Sequence, residues 1–130
     1  MSIVEHRVLG DHRGQLIAIE AVRDIPFEIK RIFYIYGAQP NTPRGQHAHH
    51  KTRQYLIAVN GSCHVTLDDG ENKATYILNQ PNLGLMQEAM IWGTMHDFSH
   101  DCVLLVLASE HYDEADYIRD YDQYVKVVGA

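Results

Sequence analysis

The sequence predicts an all-β domain, a sandwich or small barrel with one helix at its C-terminal end, and three observations carry that expectation. Short runs rich in β-branched and aromatic residues recur at 16–19, 29–36, 54–59, 62–67, 74–78, 90–95 and 103–108, each bounded by turn residues. Glycine-containing turn pairs fall between several of them. From Tyr112 onward the apolar spacing changes from that of a strand to that of a helix. Strands of this length at this spacing close into a sandwich or barrel.

Taken in order, the 29–36 run alternates so that only one of its faces can point inward. Gln39-Pro40-Asn41-Thr42-Pro43 is a loop that leads directly into an extended segment holding His47 and His49. Asn60-Gly61 lies between the 54–59 and 62–67 runs, and Asp69-Gly70 between 62–67 and 74–78. Both are hairpin chemistry, because glycine accepts the positive φ such turns demand, and both predict antiparallel meander connections. Pro81-Asn82-Leu83-Gly84 predicts a further loop. Tyr117, Ile118, Tyr121, Tyr124 and Val125 fall at helical spacing among acids and Arg119, which predicts an amphipathic helix docking one face on the barrel.

Composition narrows the class. A chain of 130 residues, 45% hydrophobic and 22% charged, is expected to form one globular domain over 1–130. No apolar run approaches the ~20 residues of a membrane span, and the N-terminus shows no basic segment followed by an apolar one. A cytoplasmic protein with no membrane partner is the expectation, with Cys63 and Cys102 buried and reduced. The net charge of −6, with acids concentrated near the C-terminus, disfavours nucleic acid as a partner. Lys30, Arg31, Arg44, Lys51 and Arg53 nevertheless cluster in one third of the chain, a local positive patch suited to a small anion.

His47-Ala48-His49 is the strongest chemical signal. Two residues apart on an extended segment, the two imidazoles leave the backbone on the same face and put two proton carriers on one pocket wall. His50 faces away by the same alternation. The pattern Gly45-x-His47-x-His49, then Gln54, then Gly61 resembles the first motif of the cupin superfamily, whose fold is a small jelly-roll β-barrel. A metal-binding cupin adds a carboxylate and a third histidine; Gln54 stands in the acid's place, and Ala89-Met90-Ile91-Trp92-Gly93-Thr94 replaces the second motif. No metal is expected at the pair, which leaves it free for proton transfer.

A closer resemblance spans nearly the whole chain. Arg13-Gly14, Pro26-Phe27-x-Ile29-Lys30-Arg31, Arg44-Gly45-x-His47-Ala48-His49, Gly61-Ser62-Cys63, Leu67-Asp68-Asp69-Gly70, His96-Asp97-Phe98-Ser99, Val106-Leu107-Ala108-Ser109 and Tyr112-Asp113-Glu114-x-Asp116-Tyr117-Ile118-Arg119 occur in the order and spacing of the nucleotide-sugar 3,4-ketoisomerases. The resemblance implies a small dimeric cupin that moves the ketone of dTDP-4-oxo-6-deoxyglucose from C4 to C3, on the way to amino-deoxysugars. Arg13-Gly14 is similar to the galacto-type pattern. The residues suit that chemistry: an imidazole can take the proton α to the ketone and deliver one at the neighbouring carbon, and no redox cofactor is required. The resemblance puts both histidines at the sugar without ranking them; His49 is taken as base and His47 as shuttle or orienting partner. Arg31, Tyr34 or Tyr36 is the expected donor to the enediolate oxygen. Arg44 and Lys51 are candidates for the diphosphate, and Trp92, Gln54 and one of the tyrosines for the thymine. The competing readings are a dTDP-sugar epimerase on the same scaffold, a sugar-nucleotide-binding module without catalysis, and a metal-dependent dioxygenase.

Overall fold

Residues 2–129 are described by a computed structural model. Two five-stranded antiparallel sheets face each other. The first runs in the order β1 (Ile3–Glu5), β9 (Leu83–Gln87), β6 (Gln54–Asn60), β11 (Val103–Ala108), β4 (Arg31–Tyr36). The second runs β12 (Tyr117–Ile118), β5 (Arg44–His49), β10 (Trp92–His96), β7 (Cys63–Asp68), β8 (Lys73–Leu78). A separate hairpin joins β2 (Leu9–Asp11) to β3 (Gly14–Leu16), and one helix, α1 (Tyr121–Val128), follows β12. Leu56, Ala58, Leu85, Leu104 and Val106 from the first sheet meet Cys63, Val65, Leu67 and Met95 from the second in the main core. Period-two alternation puts each of these on an inner face.

Most of the expected strands are present, and the departures have physical causes. Of the 16–19 run only Leu16 is in a strand. Leu83 and Gly84 begin β9 rather than extending a loop: a Cβ on Gly84 would lie 2.1 Å from the Tyr55 hydroxyl oxygen, so the glycine is a close-approach residue inside a sheet. Asp69-Gly70 does close a hairpin, with Asp68 paired to Lys73 and Gly70 at φ +98°. Asn60-Gly61 does not. It carries the chain from the first sheet to the second, since β6 pairs with β9 and β11 while β7 pairs with β8 and β10.

The C-terminal stretch is the largest correction. Asp113 caps a single 3-10 turn at Glu114–Asp116, Tyr117 and Ile118 form a strand on the edge of β5, and Asp120 then caps α1 by accepting from the Gln123 amide. The helix therefore starts at Tyr121. It covers the outer face of the second sheet, where Tyr124 is fully buried with Ala48, Trp92 and Ile118. The Tyr124 hydroxyl reaches the carbonyl oxygens of Met90 at 2.8 Å and Asp68 at 2.9 Å.

Candidate active site

Strand β5 enters the sheet through a bulge. Gly45 and Gln46 both take left-handed backbone, at φ +84° and +53°, and the register against β10 shifts there. Such a bulge re-aims the side chains that follow it. His47 and His49 then point between the sheets, while Ala48 between them points out under α1. The two imidazoles stand edge to face with centroids 4.9 Å apart, and Tyr117 from β12 closes over both, at 5.0 Å from His47 and 4.3 Å from His49.

Each ring has a distinct setting. His47 borders a cavity of about 260 Å³ together with Phe33, Arg44, Gln54, Tyr117 and Arg119. Its Nδ1 donates to the Gly45 carbonyl at 2.9 Å, which leaves Nε2 as the lone-pair nitrogen of the neutral ring. His49 lies deeper. It is 3% exposed, and its Nε2 is buried without a hydrogen-bond partner. Burial, and then the neighbouring His47, push its pKa down to about 4, against a smaller upward pull from Asp116. Burial also lowers His47, with the Gly45 carbonyl opposing and Arg119 and Arg31 assisting. Both imidazoles are neutral at neutral pH.

Two positively charged groups frame the pair. Arg31, on the inward face of β4, lies over the rings of Phe33 and Tyr112, and its Nε is buried with no partner. Arg119 lies over Tyr117 at 4.2 Å and pairs with Glu114 at 2.9 Å. Hydrogen bonds from Arg119 and Tyr112 hold Glu114 at about 2. Asp116 ties this wall to the strand that carries the histidines. Its carboxylate accepts from the Lys51 amide (2.7 Å), the Thr52 amide (3.1 Å) and the Thr52 hydroxyl (2.5 Å). Burial works to raise that carboxyl, and the three donors outweigh it, so the group lies below its usual range.

Of the residues singled out from sequence, His47, His49, Arg31, Arg44 and Gln54 come together here. Tyr36 does not: β4 alternation turns it to the outer face, 73% exposed, beside the ring of Tyr34. Tyr34 borders the cavity from its place in β4, yet its ring belongs to that outer pair. Trp92 is on the opposite face of the second sheet, under α1 against Tyr121 and Tyr124. Lys51 opens onto a different recess, with Tyr112, Asp113 and Asp116. The missed residues are Tyr117, Asp116 and Arg119, all in the stretch taken for helix; the aspartates at 113 and 120, each a ready cap, were the signal that it is broken into short pieces. A larger recess of about 400 Å³ beside Trp92 and Tyr121 contains neither histidine.

A two-sheet jelly-roll sandwich with paired inward imidazoles and neighbouring guanidinium groups defines a cupin-type protein. Over residues 1–129 the chain matches the family model described as FdtA: WxcM-like, C-terminal, and it belongs to that family. It is 48% identical, over 97% of its length and 91% of the relative's, to a TDP-4-oxo-6-deoxy-alpha-D-glucose-3,4-oxoisomerase of Aneurinibacillus thermoaerophilus. Its structure is similar to that of a 3,4-ketoisomerase from Helicobacter canadensis, with TM-score 0.96, 48% identity, and 99% of this chain and 97% of that one covered. It is likewise similar to a histidine-to-asparagine mutant of the 3,4-ketoisomerase QdtA from Thermoanaerobacterium thermosaccharolyticum in complex with TDP-4-keto-6-deoxyglucose, with TM-score 0.94, 42% identity and coverage of 98% and 92%.

Proposed function

We propose that this chain is a 3,4-ketoisomerase of a TDP-linked 4-keto-6-deoxyglucose. The observation that carries the reading is that His47 borders a cavity with its Nδ1 tied to the Gly45 carbonyl, backed by a second neutral imidazole and by the unpartnered Arg31 Nε. The reaction breaks the C3–H bond, passes through an enediolate spanning C3 and C4, and forms a C4–H bond, while the O3 hydroxyl proton moves to O4. Carbon oxidation states exchange between the two positions, so the balance needs no external oxidant or reductant.

In this reading His47 takes the C3 proton and returns one at C4, and His49 is the partner behind it. Sequence reasoning took His49 as base; the cavity favours His47, because His49 does not border it. Arg31, whose buried Nε has no partner of its own and which lies over Phe33 of the cavity wall, donates to the enediolate oxygen. Arg44 and Arg119 at the cavity wall take the diphosphate. Gln54 remains the group for the polar edge of the thymine or the sugar. The active form is a homodimer in the cytoplasm, and the product has the galacto configuration implied by Arg13-Gly14. Arg13 itself is on the β2–β3 hairpin, paired with Asp11.

The deciding experiment incubates the protein with TDP-4-keto-6-deoxyglucose in deuterated water and reads the product by NMR. A ketone at C3 with deuterium at C4 is the expected result, and the C4 configuration is read from the same spectrum. Inverted ring carbons with the ketone still at C4 identify an epimerase, and unaltered substrate with a ring free of deuterium identifies a binding module.

A further inference from the structure

The outer face of the second sheet carries a group of side chains that the isomerase chemistry does not use. His64 on β7 and His96 on β10 are directly paired across the ladder. Their neighbours Val65 and Met95 are buried in the core, so both imidazoles point away from His47 and His49. The two rings stand 5.6 Å apart, steeply inclined. Asp97 follows β10 in a left-handed conformation, φ +53°, which non-glycine residues adopt sparingly, and its carboxylate turns back toward the pair. Oδ2 is 2.6 Å from His96 Nδ1 and 3.6 Å from His64 Nδ1. Three ligand-type atoms from three residues thus lie within 4.8 Å of one another, the only such group among the described residues.

We propose that His64, His96 and Asp97 form a binding site for one divalent transition-metal ion of the zinc class. Two imidazoles and one carboxylate are the donor set that zinc, cobalt and nickel prefer, whereas magnesium and calcium call for oxygen ligands throughout. Ligand bonds of about 2.0–2.1 Å around a tetrahedral ion put neighbouring ligand atoms a little over ~3 Å apart, so the His64–Asp97 spacing is already near what such an ion needs. The shorter His96–Asp97 contact is a hydrogen bond that the ion replaces: Nδ1 gives up its proton and Nε2 takes one up through solvent, so the neutral ring changes tautomer with no net release.

The surroundings support the ligands. His96 Nε2 is 2.7 Å from the Thr66 hydroxyl, which is 2.8 Å from the Thr75 hydroxyl. Both hydroxyls rotate freely, so with Nδ1 on the ion the Nε2 proton is donated to Thr66, and Thr66 donates to Thr75. This is the outer hydrogen bond that fixes the orientation and tautomer of a metal-bound histidine. Pro40, Asn41 and Pro43 border a recess beside His96 and Asp97, which leaves space for water to complete the coordination. The ion would clamp β7 to β10 at the end of the sheet and leave the reaction cavity untouched.

The test uses the full chain, stripped with a chelator and titrated with Co²⁺ in a non-chelating buffer. Saturation at one Co²⁺ per chain, with visible d–d absorption of a low-coordinate site and displacement by Zn²⁺, is expected. His64→Ala and Asp97→Ala each weaken binding by more than ~10-fold, and Thr66→Val weakens it by roughly 10-fold. Isomerase turnover in His64→Ala and Asp97→Ala stays at the level of the unaltered chain and reports that they are folded; His64→Asn serves the same purpose if the alanine variant does not fold. His47→Asn binds Co²⁺ as the unaltered chain does. Absence of saturable binding, unchanged affinity in both His64→Ala and Asp97→Ala, or loss of binding in His47→Asn overturns the proposal.

Discussion

An imidazole 3% exposed with no partner on its Nε2 is held neutral by the cost of charging it away from water, and His49 illustrates both sides of that cost. For catalysis the gain is that no proton has to leave before the pair can work. We expect the acid limb of a kcat/KM pH profile, set by the His47 base, to lie below the ordinary histidine range. For stability the sign is the reverse. The unfolded chain protonates this histidine near 6.5 and the folded chain near 4, so between those values the unfolded state holds more protons and stability falls as the pH is lowered. The shift corresponds to a loss on the order of 3 kcal/mol by pH 4, measurable as a falling denaturation midpoint. Once His47 has taken the substrate proton it becomes a cation near Arg31 and Arg119, which favours prompt return of the proton to the sugar. His47→Asn keeps the shape of the ring's attachment and removes the base. Turnover is expected to drop by about 10²–10⁴-fold while TDP affinity, measured calorimetrically, stays within a few-fold.

At the level of elements, the site depends on β12, a two-residue strand that puts Tyr117 over both histidines. Asp116 anchors it through the Lys51 and Thr52 donors at the end of β5. Asp116→Ala leaves those donors in a nearly closed site without an acceptor, and a destabilisation of about 2–3 kcal/mol is expected in urea unfolding, with turnover falling as Tyr117 loses its position. Six of the seven strand runs were readable because short runs of β-branched and aromatic residues bounded by turn residues are too short for helices, even where, as in 103–108, they do not alternate. The histidine strand was readable because spacing of two puts side chains on one face. The C-terminal wall was not. Tyr117, Ile118, Tyr121, Tyr124 and Val125 satisfy helical periodicity even though the first two lie in a strand, and only tertiary pairing with β5 decides between the two. Trp92 was misplaced because strand parity depends on register: with Gly93 opposite His47 on the inner face, its neighbour must face out.

For the molecule as a whole, the outer face of the first sheet is only partly covered, Ile25 and Phe27 burying Tyr55, Ile57 and Leu107 but leaving the side towards β4 open. Ile17, Ile19, Ile29, Ile32, Val59 and Leu105 border an apolar groove of about 370 Å³ beside β4, which is also an edge strand. An edge with exposed Ile32, Tyr34 and Tyr36 is the kind of surface that associates with its own copy. For the homodimer proposed above, Ile32→Glu is expected to give monomer in sedimentation equilibrium, where the unaltered chain gives dimer, while leaving the monomer fold, read by circular dichroism, in place. The attachment of β12 to β5 has a further consequence during synthesis. Lys51 and Asp116 are separated by 65 residues, so the ribosome releases both imidazoles long before the tyrosine that roofs them. A nascent chain already carrying the sandwich core would expose the reactive rings to water, and only the arrival of Tyr117 and Arg119 would turn a folded scaffold into an enzyme.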